Sequence, residues 1–189
     1  MLFSPPNLLT LSRIAIIPLL VAAFYLPGEI AHWATAGLFA AAGITDYFDG
    51  RIARGRSLQS SLGAFLDPIA DKLLVASALV MMVAERWIDG AAVIAALIIV
   101  LREILVSGLR EFLGQSRIEL PVSRLGKWKT AAQMVAIGAL LLGEAIAPLP
   151  AALVGQVAIW LAAALTLATG YDYLRVGLRH LRGGQIAAQ

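Results

Sequence analysis

Four aspartates of this chain fall in two close pairs, Asp46 with Asp49 and Asp67 with Asp71. The first pair is three residues apart and the second four apart, so each shares one face if its segment is helical. Two consecutive antiparallel helices would bring the pairs to one interface. Four carboxylates at the edge of a bilayer repel one another and are costly to desolvate. Protonation relieves that cost, and so does a cation. Ligands that are all carboxylate oxygen favour hard ions such as Mg²⁺, Mn²⁺ or Ca²⁺. Gly50 and Gly63 flank the loop between the pairs, and a residue without Cβ lets a ligand or a second backbone come close. Arg54 can hold a phosphate through charge-assisted hydrogen bonds. Metal, arginine and glycine together describe a site for a diphosphate. Plain structural roles exist for each residue alone. Asp67 before Pro68 reads as a helix cap with proline in the first turn, Asp71 can pair with Lys72, and Asp46 and Asp49 can pair with Arg51 and Arg54. All four aspartates with both glycines favour the chemical reading over the sum of these.

The elements that position them follow from composition. The chain has 189 residues, 60% of them hydrophobic and 14% charged, against roughly 45–50% and about 25% in soluble domains. Mean hydropathy is +0.82. One soluble core would not hide this much apolar surface, so the surrounding solvent is expected to be lipid. With no cysteine, disulfides and cysteine metal sites are excluded. The first apolar run, residues 14–26, has a signal-peptide look, but only Arg13 flanks it, Pro18 interrupts it and further apolar runs follow. Pro5-Pro6-Asn7 reads as a helix start. Apolar runs of about 20 residues between breakers predict spans near 7–26, 30–47 (with room for its helix to continue to Ala53), 68–84, 91–109, 129–147 and 151–171. The expectation is an all-α polytopic bundle of six transmembrane helices, a single domain over 1–189.

An even number of spans puts both termini on one side. Fourteen of the fifteen basic residues then share that side, leaving only Arg86 opposite. The positive-inside rule makes that side cytoplasmic. Much of this charge has a plain explanation in topology and contact with anionic lipid.

The residues Asp49-Gly50-x-x-Ala53-Arg54, then eight residues, then Gly63-x-x-x-Asp67-x-x-x-Asp71 resemble the full signature of the CDP-alcohol phosphatidyltransferase family. Asp46 matches the acidic residue that often precedes it. The resemblance covers nearly the whole chain. It implies an enzyme that displaces CMP from a CDP-linked lipid with an alcohol. It also implies two divalent ions, Mg²⁺ or Mn²⁺, among Asp46, Asp49, Asp67 and Asp71, with Asp71 as general base. Gly50, Arg54 and Gly63 would lie along the CDP moiety. Reactions of this type depend on charge neutralisation and in-line placement, and a carboxylate beside metals stays ionised to act as a base.

Three further stretches look like the branch of the family that makes phosphatidylglycerophosphate: Pro6-Asn7-Leu8-Leu9-Thr10-Leu11-Ser12-Arg13, the run from Leu101 to Glu111, and Gly126-Lys127-Trp128-Lys129-Thr130. That branch takes CDP-diacylglycerol and glycerol-3-phosphate. Arg102, Arg110, Lys127 and Lys129 become candidates for the acceptor phosphate, and Asn7 and Thr10 for the nucleotide. Plain roles compete here too: Lys127 and Lys129 as topology markers, and Arg102 as a partner of Glu103 or Asp172. Acceptors such as serine or inositol phosphate would keep the same aspartates. The implied setting is a bacterial inner membrane with the site facing the cytoplasm, membrane lipids and a possible homodimer as partners, and no nucleic acid. A cation transporter is the competing class, since carboxylates within a membrane often line ion paths. The four tryptophans read as interfacial anchors or packing, and His32 and His180 as bland.

Overall fold

The computed structural model describes residues 5–56, 61–115 and 124–186. Six helices follow in order: α1 (Pro5–Ala23), α2 (Glu29–Arg56), α3 (Ser61–Ala84), α4 (Ala92–Gln115), α5 (Arg124–Leu142) and α6 (Ala151–Ile186). A 3-10 turn, Gly143–Ile146, joins the last two. No strand occurs among the described residues. A helix satisfies its own backbone, which is what apolar surroundings demand. The breakers act where the sequence places them. Gly28 and Gly90 turn the chain with φ of 57° and 51°, a left-handed conformation that costs glycine little.

Several boundaries differ from expectation: α2 runs on to Arg56, α4 runs on to Gln115, and α5 both starts and ends earlier than its apolar run, at Arg124 and Leu142. Helix α3 begins at Ser61, so Pro68 lies inside it and Asp67 is not its cap. Proline is tolerated within helices of this kind when neighbours re-satisfy the freed backbone. Helix α6 continues past 171 to Ile186. Gly50 and Gly63 both sit within helices, and the connection between α2 and α3 shrinks to 57–60.

Every helix sends a side chain into one core: Leu20, Phe39, Leu79, Ile99, Ile137 and Ile159 are all buried. Every helix also turns a large apolar side chain outward. Leu19, Ile30, Val80, Ile104, Val135 and Val157 are each more than half exposed. Ala92–Gly114 and Ala151–Leu178 are long and apolar enough to cross a bilayer, yet only 22% and 28% of them is buried. The core helix of a soluble protein would be mostly covered, so these faces fit association with a membrane.

The helices associate through close packing. Gly155 illustrates it on α6. A methyl group added there would lie 2.6 Å from Leu140 Cγ and 2.9 Å from the Leu140 backbone nitrogen. Helix α6 packs most extensively on α5 and α4, while α1 lies against α2 and α3. That second contact builds the site.

Candidate active site

Thr10 and Arg13 stand three residues apart on α1, hence on one face, and both are buried. The Thr10 hydroxyl donates to Asp67 Oδ1 at 2.5 Å. Arg13 Nη1 donates to Asp71 Oδ1 at 2.6 Å, and its Nη2 lies 3.1 Å from Asp46 Oδ1. One guanidinium thus joins a carboxylate of α2 to one of α3, a fork geometry that lysine lacks. The arginine side chain is 0% exposed, while Asp46 and Asp71 keep 51% and 47% exposure. Both acids therefore open onto a cavity of about 510 Å³ at the centre of this end of the bundle.

The facing wall is cationic. Lys129 on α5 donates to Glu103 on α4 in a close ion pair. Arg102 Nη1 lies 3.4 Å from the same Glu103 oxygen, and Arg102 Nη2 donates to Thr169 Oγ1 on α6 at 3.0 Å. The guanidinium carbons of Arg102 and Arg110 each lie 5.6 Å from the centre of the Tyr173 ring, within cation–π range. Gly170 makes room for this shelf, because a methyl group there would sit 3.1 Å from Arg102 Cγ. Lys72 turns along its own helix and donates to the Pro68 carbonyl at 2.8 Å, so it is not spent on Asp71.

The residues expected from the sequence sort as follows. Asp46, Asp71, Arg102, Arg110 and Lys129 line one cavity. Asp67 is turned to Thr10, and Gly63 is buried in α3. Lys127 is exposed and outside the cavity lining. The side chains of Asn7, Asp49 and Arg54, and the surroundings of Gly50, lie outside the described residues. Arg102 takes Glu103 as its carboxylate partner. The sequence reading missed Arg13 as a site residue, together with Glu103, Gln133, Thr169 and Tyr173. Glu103 and Gln133 carried a usable signal, since polar groups inside apolar helices mark function by default. Arg13 did not, because nothing local ties it to Asp46 on the next helix or to Asp71, 58 residues away.

Among the described residues, no three acidic or histidine side chains converge closely enough to hold a metal ion. The donor chemistry nevertheless suits one. Asp46 and Asp71 already share a single cation, and every acidic donor in this cluster is a carboxylate oxygen, the kind that hard divalent ions take.

Comparison with known proteins identifies the family. Residues 3–168 match the family model described as CDP-alcohol phosphatidyltransferase. A Rickettsia felis protein named CDP-diacylglycerol–glycerol-3-phosphate 3-phosphatidyltransferase is 45% identical, over 90% of this chain and 93% of its own. Proteins of the same name from Pectobacterium atrosepticum and Cereibacter sphaeroides are 43% and 37% identical. Each of those matches covers 95% of this chain, with 97% and 98% of the relative.

Proposed function

We infer the reaction from one premise: this chain belongs to the CDP-alcohol phosphatidyltransferase family. It moves a phosphatidyl group from CDP-diacylglycerol to glycerol-3-phosphate, giving phosphatidylglycerophosphate and CMP. The observation that carries this reading is the cavity itself. It gathers half-exposed Asp46 and Asp71 with Lys129, Arg102 and Arg110 in one lining. A dianionic acceptor needs fixed cations, and its hydroxyl needs a base within reach. Cation transport, the competing expectation, has no counterpart among the relatives named above.

Arg13 holds Asp71 by Oδ1, which leaves Oδ2 to take the proton of the acceptor hydroxyl. The oxygen so freed forms its bond to the lipid-bearing phosphorus as the bond from that phosphorus to CMP breaks. Lys129 and Arg102 hold the acceptor phosphate, exchanging Glu103 for it. Divalent ions, with Asp46, Asp49, Asp67 and Asp71 as their ligands, would supply charge neutralisation at the diphosphate. Holding both substrates in one cavity makes the displacement effectively intramolecular.

The full arrangement we propose is a six-span bundle in the inner membrane, with both termini and the cavity cytoplasmic. The outward apolar side chains of all six helices and the one-sided basic residues support it. Purified protein given CDP-diacylglycerol, Mg²⁺ or Mn²⁺, and in parallel glycerol-3-phosphate, serine or inositol phosphate tests the reaction. CMP release that depends on glycerol-3-phosphate is expected. Release with another acceptor alone would overturn the assignment.

A further inference from the structure

Gln133 stands one turn beyond Lys129 on α5, on the same face, and is 4% exposed. It lines the cavity that Asp71 and Lys129 share, yet its Oε1 is buried without a hydrogen-bond partner. Buried amides ordinarily have their hydrogen bonds made. Ala42, Gly43, Leu74, Val75 and Met134 form the apolar part of the same lining, beside its charged groups. A carboxamide carries both a donor and an acceptor end, and half a turn about its last bond exchanges them. The group that suits such a side chain is a neutral hydroxyl, which also gives one hydrogen bond and accepts others. It does not suit a phosphate, which the cations already serve.

The acceptor reading of the cavity, on which this step rests, accounts for two parts of the acceptor. Its phosphate has Lys129 and Arg102, and its reacting primary hydroxyl has Asp71. The secondary hydroxyl between them has no partner so far. Glu103, ion-paired with Lys129 and Arg102 until the phosphate displaces it, is a carboxylate and only accepts, whereas the amide both donates and accepts. We propose that Gln133 is the residue that reads this non-reacting hydroxyl, and so selects a polyol phosphate over a simple alkanol phosphate. A site built to hydrogen-bond a substrate hydroxyl rejects the analogue that lacks it, because the site's own polar group is then left unmade.

The test compares glycerol-3-phosphate with 3-hydroxypropyl phosphate, which keeps the phosphate and the primary alcohol and lacks only the secondary hydroxyl. Unmodified protein with CDP-diacylglycerol is expected to prefer glycerol-3-phosphate in kcat/KM by on the order of 10- to 100-fold. In Gln133→Met, of similar length but without the amide, that preference falls below about threefold through loss on glycerol-3-phosphate. The KM for CDP-diacylglycerol stays where it was. Equal losses on both acceptors would reduce Gln133 to packing and overturn the proposal. So would an unmodified protein that uses both acceptors equally, whatever the variant does. If the unmodified protein turns over neither acceptor, the acceptor reading itself falls, and this inference with it.

Discussion

At one end of the bundle Arg13 ties α1 to Asp46 of α2 and Asp71 of α3. At the other, Trp87 in the turn after α3 stacks on His32 of α2 with ring centres 3.9 Å apart, and Phe24 leans on it at 4.8 Å. The His32 ring nitrogen Nδ1 lies 2.8 Å from the Leu141 carbonyl oxygen. Gly143 presses against it so closely that a methyl group there would sit 3.1 Å from His32 Cε1. Both ends fasten α2 to the chain of α1 and α3, the aromatic end through the turns that follow those two helices. They differ in what they leave unmet. The aromatic end closes on itself, while the charged end keeps two carboxylates half exposed and the Gln133 amide oxygen unpartnered. Polar groups left unmet in a packed interior are expensive, and they persist where a substrate meets them.

The largest effect expected from this contrast is at Asp71. Asp71→Asn should lower kcat on the order of 10³-fold, the scale of a general base, while CDP-diacylglycerol binding is retained. Equilibrium binding and single-turnover CMP release separate the two, and near-normal turnover would move the base elsewhere. Arg13→Ala comes next. It leaves Asp46 and Asp71 without their shared cation and should cost about 2–3 kcal/mol of stability, together with turnover. Arg13→Lys recovers part of this at most, because lysine offers no planar fork. Thermal melting in detergent that stays unchanged in both variants would make Arg13 a bystander. Trp87→Ala should cost about 2 kcal/mol, less than a fully buried tryptophan, and leave kcat and both KM values alone below the melting transition. A changed acceptor KM there would erase the distinction between the two ends. Smallest is Lys127→Ala. An exposed charge outside the cavity lining is worth little, so the glycerol-3-phosphate KM should shift less than about twofold, and a tenfold rise would return Lys127 to the acceptor site.

Much of this was legible in the residues. The six helices follow from long apolar runs between breakers, and the four-residue spacing of Asp67 and Asp71 accords with both reaching α1. Pro68 misled because a proline reads as a boundary, whereas a helix packed among neighbours accommodates one. Thr10 was expected at the nucleotide and is found holding Asp67. Arg13 counted only as a topology marker, since its link to Asp71 spans 58 residues and depends on how α1 docks against α2 and α3. Tertiary docking of that kind leaves no periodic trace. Gln133 is the intermediate case. Its position four residues after Lys129, within the apolar stretch that follows Thr130, was readable, but only the cavity shows what it faces.

The central claim is that one cavity brings the acceptor phosphate to Lys129 and the acceptor hydroxyl to Asp71. A structure determined with glycerol-3-phosphate bound tests it most directly. The account predicts a phosphate oxygen about 3 Å from Lys129 Nζ and a hydroxyl oxygen at the same distance from an Asp71 carboxylate oxygen. Glycerol-3-phosphate seated outside this cavity, with the Lys129–Glu103 pair undisturbed, would contradict it.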